Sequence, residues 1–368
     1  MKYIMESPPG PRTVINGREV DYFCGCGYFG FQSHPAVLEA ACDALRRFGI
    51  GSATTRSGYG STPPIEEVEK RAASLFGTQA ALYYVSGYLG NAVLLAGLED
   101  RFEKIFVDEA SHFSVMDGIA QSSRPVIPFA HRDPEDLGRQ MGNIIRPGMR
   151  PLIFTDGVFP VSGEIAPLRD YWEILRDYDE ALLCVDDAHA AGVLGERGRG
   201  TFEHFGLNGK GLFLTATLSK ALGGFGGVIP GTREFIRKLE AKSSVPFAAS
   251  LPPTPAAAAA AKSLALLEED PSMRQTLWDM VAYAKTKMAG LGFDVDDSPV
   301  PIICLKGTKG CDFARLESEL LERGVAVYYV PGGSYSSVPR EGAIRIAVFA
   351  NHTRDQIDRL TAELQRLL

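Results

Sequence analysis

Acidic and imidazole side chains follow a short apolar segment in the middle of the chain. Residues 181–185 predict a strand, and Asp186, Asp187 and His189 come directly after it. Ligands of open α/β sheets bind at the carboxyl ends of strands. An Asp there can pair with the protonated ring nitrogen of pyridoxal 5'-phosphate (PLP), and the nearby His can reach its phenolic oxygen. A metal pair or a hydrogen-bonded Asp/His cluster is the alternative for this motif alone.

A lysine lies between hydroxyl residues and a glycine-rich stretch, one predicted strand further along. Thr217 and Ser219 precede Lys220, and four glycines follow within residues 223–227. A primary amine in this setting suits a Schiff base beside a phosphate group, because hydroxyls and closely approaching backbone can hold phosphate oxygens. A solvated lysine in a loop is the alternative, and the preceding Asp/His strand favours the first interpretation.

Gly87 and Tyr88 lie in a turn between a predicted strand at 80–85 and a predicted helix at 88–98. Backbone N–H groups at a helix N-terminus bind phosphate. The turn matches neither the GxGxxG fingerprint nor the GxxxxGK[ST] loop, so NAD and ATP are not favoured.

Two further residues have types that suit a ligand site. His112 follows a predicted strand at 105–107, where an imidazole can stack on a cofactor ring and assist proton transfer, and a surface histidine or a helix N-cap is the alternative. Arg345 lies inside an apolar strand, which is costly unless the charge is paired. A substrate carboxylate would pair with it bidentately, and a structural Asp or Glu is the alternative partner.

These residues require a scaffold, and the hydrophobic pattern predicts one. Strands and helices alternate through about residue 230, which predicts an α/β fold with a mostly parallel sheet covered on both faces. The composition changes after about residue 252. We therefore predict an N-terminal segment at 1–34, a large domain at 35–254 and a smaller α+β C-terminal domain at 255–368.

Composition narrows the function classes. The chain has 368 residues and a net charge of −7, without a dense Lys/Arg run, so neither nucleic acid nor a membrane surface is an expected partner. The six cysteines predict reduced thiols rather than a disulfide framework or a metal site, although Cys24 and Cys26 are close. No apolar secretory segment is evident, and a cytoplasmic location is expected.

Together, the motifs resemble the α-oxoamine synthases, a family of PLP enzymes with an aspartate-aminotransferase-like fold. The resemblance runs from about Tyr28 to the C-terminus. It rests on segments in a specific order: 28–30, 48–52, 86–88, 111–112, 155–159, 186–193, 195–200, 217–220 and 251–253.

The resemblance implies a role for each residue of the cofactor site. Lys220 would hold PLP as a Schiff base and act as the proton-transfer base. His112 would stack on the pyridine ring, Asp186 would pair with the ring nitrogen, and His189 would contact the phenolic oxygen. The phosphate would be held by Gly87, Tyr88, Thr217 and Ser219, and by Ser250 from the neighbouring subunit of a homodimer with shared active sites.

The resemblance also implies a reaction. A small amino acid, its carboxylate bound by Arg345, would condense with an acyl thioester, either acyl-CoA or an acyl-carrier protein, with loss of carbon dioxide. Two positions depart from the family pattern near the substrates: Gly27 replaces an Asn, and Pro160 replaces a Ser. These departures keep an aminotransferase, or another PLP carbon–carbon bond reaction, as the alternative function.

Overall fold

The structure of the chain is a computed structural model that describes residues 3–306, 311–334 and 338–368. Its contacts divide the chain into two compact units. The larger unit comprises residues 36–159 and 165–269, and the smaller unit comprises residues 1–35, 160–164 and 270–368.

Strands are found in both units. In chain order they are β1 Arg12–Ile15, β2 Arg18–Tyr22, β3 Ala80–Tyr84, β4 Lys104–Asp108, β5 Val126–Phe129, β6 Pro151–Asp156, β7 Leu182–Asp186, β8 Leu212–Thr217, β9 Gly227–Gly231, β10 Ile302–Leu305, β11 Val325–Ala326, β12 Tyr328–Val330 and β13 Ala343–Ala347.

Helices connect these strands. In chain order they are α1 Pro35–Phe48, α2 Pro63–Phe76, α3 Gly90–Leu98, α4 Phe113–Ile119, α5 Pro134–Ile144, α6 Leu168–Leu175, α7 Thr201–His204, α8 Arg233–Lys242, α9 Ser244–Ala248, α10 Thr254–Glu269, α11 Ser272–Gly290, α12 Phe313–Glu322 and α13 Arg354–Leu367. Short 3-10 turns lie at Phe31–Ser33, Arg56–Gly58 and Gly87–Leu89.

The larger unit is built on a seven-stranded sheet in the order β3-β9-β8-β7-β6-β4-β5. The pairs from β8 to β5 are parallel, and β9 runs antiparallel to both of its neighbours. The predicted mostly parallel α/β sheet is therefore confirmed. Parallel strands end at the same edge, so the residues that follow β6, β7 and β8 are brought to one side of the sheet.

Both faces of this sheet are covered, which explains why its strands are apolar throughout. Along β4, Ile105 and Val107 pack into one hydrophobic cluster, and Phe106 between them packs into another on the opposite face. Side chains alternate along a strand, so a strand buried on both faces needs a continuous apolar run.

The smaller unit contains two three-stranded sheets, in the orders β1-β2-β11 and β10-β13-β12. The hairpin of β1 and β2 turns at Asn16 and Gly17, which both have positive φ, as the Asn-Gly signal predicts. Among the described residues, no helix is long and apolar enough to cross a membrane.

The units differ in extent from the segments predicted at 1–34, 35–254 and 255–368. Helix α10 clusters with the larger unit, because it packs along α2 and Arg71 of α2 forms an ion pair with Glu268. The predicted segments follow changes in composition, whereas the two units follow contacts. The predicted domain boundaries stay a prediction.

Candidate functional site

The candidate site begins where β6 and β7 end side by side. Asp156 and Asp186 are register partners at the last positions of these parallel strands, and both are buried. Burial, and then the neighbouring Asp186, raise the pKa of Asp156 well above its ordinary value. Two carboxyl groups this close cannot both ionise easily, so the pair favours a protonated Asp156 beside Asp186.

Lys220 lies beside His189. Its Nζ is 2.8 Å from Nε2 of His189, which is buried. A lysine ammonium has no acceptor, so it donates this hydrogen bond and Nε2 accepts it. The predicted Schiff-base lysine and the histidine of the Asp/His motif are therefore brought together.

The carboxylate of Asp186 is surrounded by donors. Its Oδ1 accepts from the backbone N–H of Ala188 at 3.1 Å, and its Oδ2 accepts from Asn91 Nδ2 at 2.7 Å. The hydroxyl of Ser114 lies 3.2 Å from the same Oδ2. Each of these groups can donate a hydrogen bond to a carboxylate oxygen.

His112 is placed by backbone and side-chain contacts at the start of α4. Its backbone N–H donates to Asp156 Oδ2 at 2.8 Å. Its ring lies edge-on to the Tyr88 ring, with 6.1 Å between the two centroids. Burial lowers the pKa of His112, and the charge of Lys220 adds to this while Asp186 opposes it. A neutral imidazole suits a ring that stacks on a cofactor.

The predicted phosphate turn lies against the strand that precedes the lysine. A Cβ at Gly87 would overlap the Thr217 side chain, and one at Gly227 would approach the Gly87 backbone. Thr217 Oγ1 accepts from Ser219 N–H at 3.2 Å, and the Ser219 side chain is exposed. The glycines thus allow a hydroxyl, backbone amides and the start of a helix to lie close together.

These residues fit PLP. The bare backbone at Gly87 lies beside Thr217, the amine of Lys220 lies beside His189, and the Asp186 carboxyl group accepts a hydrogen bond from Asn91. This unit has a chemically matching group for each part of PLP. These parts are the phosphate, the carbonyl carbon that reacts with an amine, and the pyridine nitrogen.

The second aspartate of the motif has a structural function. Asp187 is fully buried and accepts from the Thr201 backbone N–H at 2.8 Å and from its hydroxyl at 2.7 Å. Burial raises the pKa of Asp187 to about 7. A Cβ at Gly157 or Gly200 would overlap its carboxylate, so these glycines make room for it.

Arg345 belongs to the smaller unit, on β13, and is buried. Its Nε donates to the carbonyl of Pro160 at 2.7 Å and one Nη to the carbonyl of Cys24 at 3.2 Å, and the other Nη is 3.5 Å from Cys26 Sγ. None of the ion pairs among the described residues involves Arg345, so the structural Asp or Glu considered as its partner is not found there.

The two departures from the family pattern have local explanations. Pro160 contributes its carbonyl to Arg345, a contact that needs neither a hydroxyl nor an N–H. A side chain at Gly27 would overlap the amide of Gln32.

Sequence reasoning missed three side chains of the site. Asn91 and Ser114 reach Asp186, and Asp156 lies beside it. Asp156 had a usable signal, since it directly follows the apolar run at residues 151–155, just as Asp186 follows the predicted strand at 181–185. Asn91 is a polar residue inside an apolar helix, which is a signal for a buried polar contact.

At the edge of a mostly parallel sheet, the larger unit carries a lysine amine beside a buried His, a buried Asp, and a turn of glycines and hydroxyls. These features define the class of PLP-dependent enzymes with an aminotransferase-like fold. The sequence model of the family described as "Aminotransferase class I and II" matches residues 26–364. The chain belongs to this family.

Named relatives narrow the class. The chain is 36% identical over 360 residues to 8-amino-7-oxononanoate synthase of Thermoanaerobacter pseudethanolicus, covering 96% of this chain and 89% of the relative. It is 36% identical over 357 residues to 8-amino-7-oxononanoate synthase 1 of Bacillus subtilis, with the same coverage. A solved serine palmitoyltransferase from S. paucimobilis with a bound PLP–myriocin aldimine has a TM-score of 0.92 and 25% identity, covering 100% of this chain and 92% of that one.

These findings confirm the resemblance to the α-oxoamine synthases and the predicted cofactor. The chain is a PLP-dependent transferase. Its reaction is the condensation of an amino acid with an acyl thioester, with decarboxylation.

Proposed function

We propose that this chain makes 8-amino-7-oxononanoate from alanine and a seven-carbon acyl thioester that ends in a carboxylate. The observation that carries this proposal is the 36% identity to two 8-amino-7-oxononanoate synthases over 96% of the chain. It is supported by the contact of Lys220 with His189 and by the hydrogen bond that Asn91 donates to Asp186.

The substrates follow from the product named for those relatives. In 8-amino-7-oxononanoate, C8 carries the amine, C9 is a methyl group and C7 is the ketone carbon. A condensation that forms the C7–C8 bond therefore takes C8, C9 and nitrogen from alanine, and C1 to C7 from a 6-carboxyhexanoyl thioester. The thiol leaves from C7, and the alanine carboxyl group leaves as carbon dioxide.

The residues of the larger unit would hold the cofactor through separate groups. Backbone amides of Gly87 and Tyr88, with the hydroxyls of Thr217 and Ser219, would bind the phosphate. Asp186 would pair with the ring nitrogen, His189 with the phenolic oxygen, and His112 would stack on the ring. When bound, PLP supplies an electron sink that stabilises negative charge at the amino acid Cα.

Lys220 would perform the proton transfer. As a neutral amine, its Nζ would take the Cα proton of alanine and would return a proton to the same carbon after carbon dioxide has left. His189 would hold that amine through the 2.8 Å hydrogen bond, so that the nitrogen that takes and returns the proton stays in one position. Burial lowers the pKa of His112, which favours the uncharged form of the ring that would stack on the cofactor.

Arg345 would bind the alanine carboxylate. Its guanidinium is buried and contacts two backbone carbonyl oxygens and the Cys26 thiol. The positive charge is therefore not neutralised by those contacts, and a buried cation attracts an anionic ligand.

A homodimer with shared sites is also part of the proposal. Large apolar side chains are exposed on the larger unit, among them Ile50, Tyr59 and Phe247. Exposed apolar groups of this kind mark protein–protein interfaces. Ser250 is exposed just after α9, where a second subunit's phosphate would be within its reach in a dimer. The cytoplasmic location expected from the sequence stays a prediction.

The test is to incubate the PLP-loaded enzyme with alanine labelled at its carboxyl carbon and with 6-carboxyhexanoyl-CoA. We expect 8-amino-7-oxononanoate by mass spectrometry and labelled carbon dioxide in equal amount. Parallel reactions use glycine or serine as the amino acid, and an acyl-carrier-protein thioester as the donor. Pyruvate and a pyridoxamine form of the cofactor, produced by alanine alone, would instead establish the aminotransferase alternative.

A further inference from the structure

A buried polar chain extends behind Asp186 in the larger unit. Asn91, on the otherwise apolar helix α3, is fully buried and donates from Nδ2 to Asp186 Oδ2 at 2.7 Å. Thr215, on β8, is also buried and donates from its hydroxyl to Asn91 Oδ1 at 2.9 Å. Burying polar groups is costly unless each has a hydrogen-bond partner. Here the Asn91 amide has a partner on both sides, Asp186 at its nitrogen and Thr215 at its oxygen.

The orientation of the Asn91 amide follows from its two neighbours. An ionised carboxylate only accepts hydrogen bonds, so the NH₂ group must face Asp186 and the oxygen must face Thr215. The Thr215 hydroxyl then donates to that oxygen. Thr215 therefore satisfies the amide oxygen in the orientation that gives Asp186 a donor.

Ser114 joins this chain to His112. Asn91 Nδ2 is 3.2 Å from the Ser114 hydroxyl, which lies 2.8 Å from His112 Nδ1. The backbone N–H of Ser114 also donates to Nδ1 at 3.2 Å. Nδ1 is then an acceptor, and the neutral ring carries its proton on Nε2.

We propose that Asn91 and Thr215, with Ser114, are positioning residues that hold the Asp186 carboxylate in one orientation for the cofactor's ring nitrogen and hold His112 in one tautomer. The inference rests on the proposed pairing of Asp186 with that nitrogen. None of the three needs to touch substrate or cofactor. Partners of this kind orient a functional group that would otherwise rotate.

The experiment measures PLP binding to apo protein and the pH at which the visible absorbance of the reconstituted enzyme changes. Asn91→Leu removes the amide at similar volume, and we expect PLP affinity to fall about tenfold to a hundredfold, as for loss of a hydrogen bond to a charged group. Thr215→Val removes only the hydroxyl, and we expect a loss of about fivefold together with a shifted spectroscopic pH midpoint. Thr215→Ser retains the hydroxyl and should restore both values.

Thr201→Val is the matched control. It also removes a buried threonine hydroxyl, but this hydroxyl donates to Asp187, whereas the Thr215 hydroxyl donates to Asn91. We expect it to lower the midpoint of thermal unfolding without moving the spectroscopic midpoint. Circular dichroism of each apo protein checks folding, and if Asn91→Leu does not fold, the Thr215→Val and Thr215→Ser pair carries the test.

Asp186→Asn separates this inference from the proposal on which it rests. Unchanged PLP affinity and spectrum in Asp186→Asn would contradict the pairing of Asp186 with the ring nitrogen. If Asp186→Asn weakens binding while Thr215→Val behaves like Thr201→Val, the positioning inference is overturned and the pairing stands. A graded loss, largest in Asp186→Asn and restored in Thr215→Ser, supports both.

Discussion

At the scale of single residues, the two aspartates of one motif are separated by their surroundings. Asp186 accepts hydrogen bonds from Ala188 and Asn91 at the edge of the sheet, whereas Asp187 is fully buried and binds Thr201. Adjacent residues on a strand point to opposite faces. One carboxylate is therefore available to a ligand, and the other holds the loop that leads into α7.

A methyl group at Gly87 should weaken PLP binding. In Gly87→Ala the new Cβ overlaps Thr217, so the turn must move away from the strand that precedes Lys220. We expect at least a tenfold weaker PLP affinity, measured by fluorescence titration of apo protein, with folding retained. Gly142→Ala is the matched control, because its new methyl group meets open space on α5. Equal affinities in both variants would contradict the assignment of this turn to the phosphate.

At the scale of elements, the end of β13 is held by a buried histidine. His352 accepts at Nδ1 from the Phe349 N–H at 2.9 Å, and its Nε2 is 3.1 Å from the Tyr22 carbonyl, to which it donates. Its ring stacks on Phe23 and Phe349. Burial lowers the pKa of His352 to about 4.

This histidine should make the fold sensitive to acid. Its pKa is lower in the folded chain than in the unfolded chain, so its contribution is complete above pH 6.5 and is lost as pH falls towards 4. The loss in the free energy of unfolding amounts to about 3 kcal/mol. Urea unfolding at several pH values should show a shallower decline in His352→Gln than in the natural chain. Parallel declines would show that His352 does not titrate in this way.

The elements were predictable from the sequence to different degrees. The strands of the large sheet are short apolar runs between helices, and the sequence predicts them because burial on both faces requires such runs. Helix α10 was assigned to the C-terminal domain, whereas contacts cluster it with α2. Those contacts join residues far apart in the chain, and local composition does not record them.

The residues of the candidate site were also predictable to different degrees. The positions of Lys220, Asp186 and His189 were predictable, because each lies at or shortly after the end of a strand and these strands end at one edge. The partners of Asn91 and Thr215 were not predictable, because these contacts form between side chains on a helix and on separate strands. The partners of Arg345 were not predictable either, since two of them are backbone carbonyls.

At the scale of the whole molecule, the exposed apolar side chains of the larger unit predict association. Tyr59 is 100% exposed and Phe247 is 62% exposed, on segments that contact each other through the turn Arg56–Gly58 and α9. Light scattering coupled to size exclusion should give the mass of a dimer.

Changing that surface should release monomers. We expect the double variant Tyr59→Ser with Phe247→Ser to shift the mass towards the monomer at low micromolar concentration. Tyr328→Ser, which removes an exposed aromatic residue from the smaller unit, is the control and should stay dimeric. A monomeric natural chain, or equal masses for the double variant and the control, would contradict an interface on this surface.

The central claim is that Lys220 bears the cofactor, and borohydride reduction tests it most directly. Reduction of the PLP-loaded enzyme fixes the cofactor on the lysine that bears it, and peptide mass spectrometry then locates the modified residue. We predict a phosphopyridoxyl group on the peptide containing Lys220, and its loss together with the visible absorbance band in Lys220→Ala. A modification on another lysine, or an unchanged spectrum in Lys220→Ala, would contradict the account.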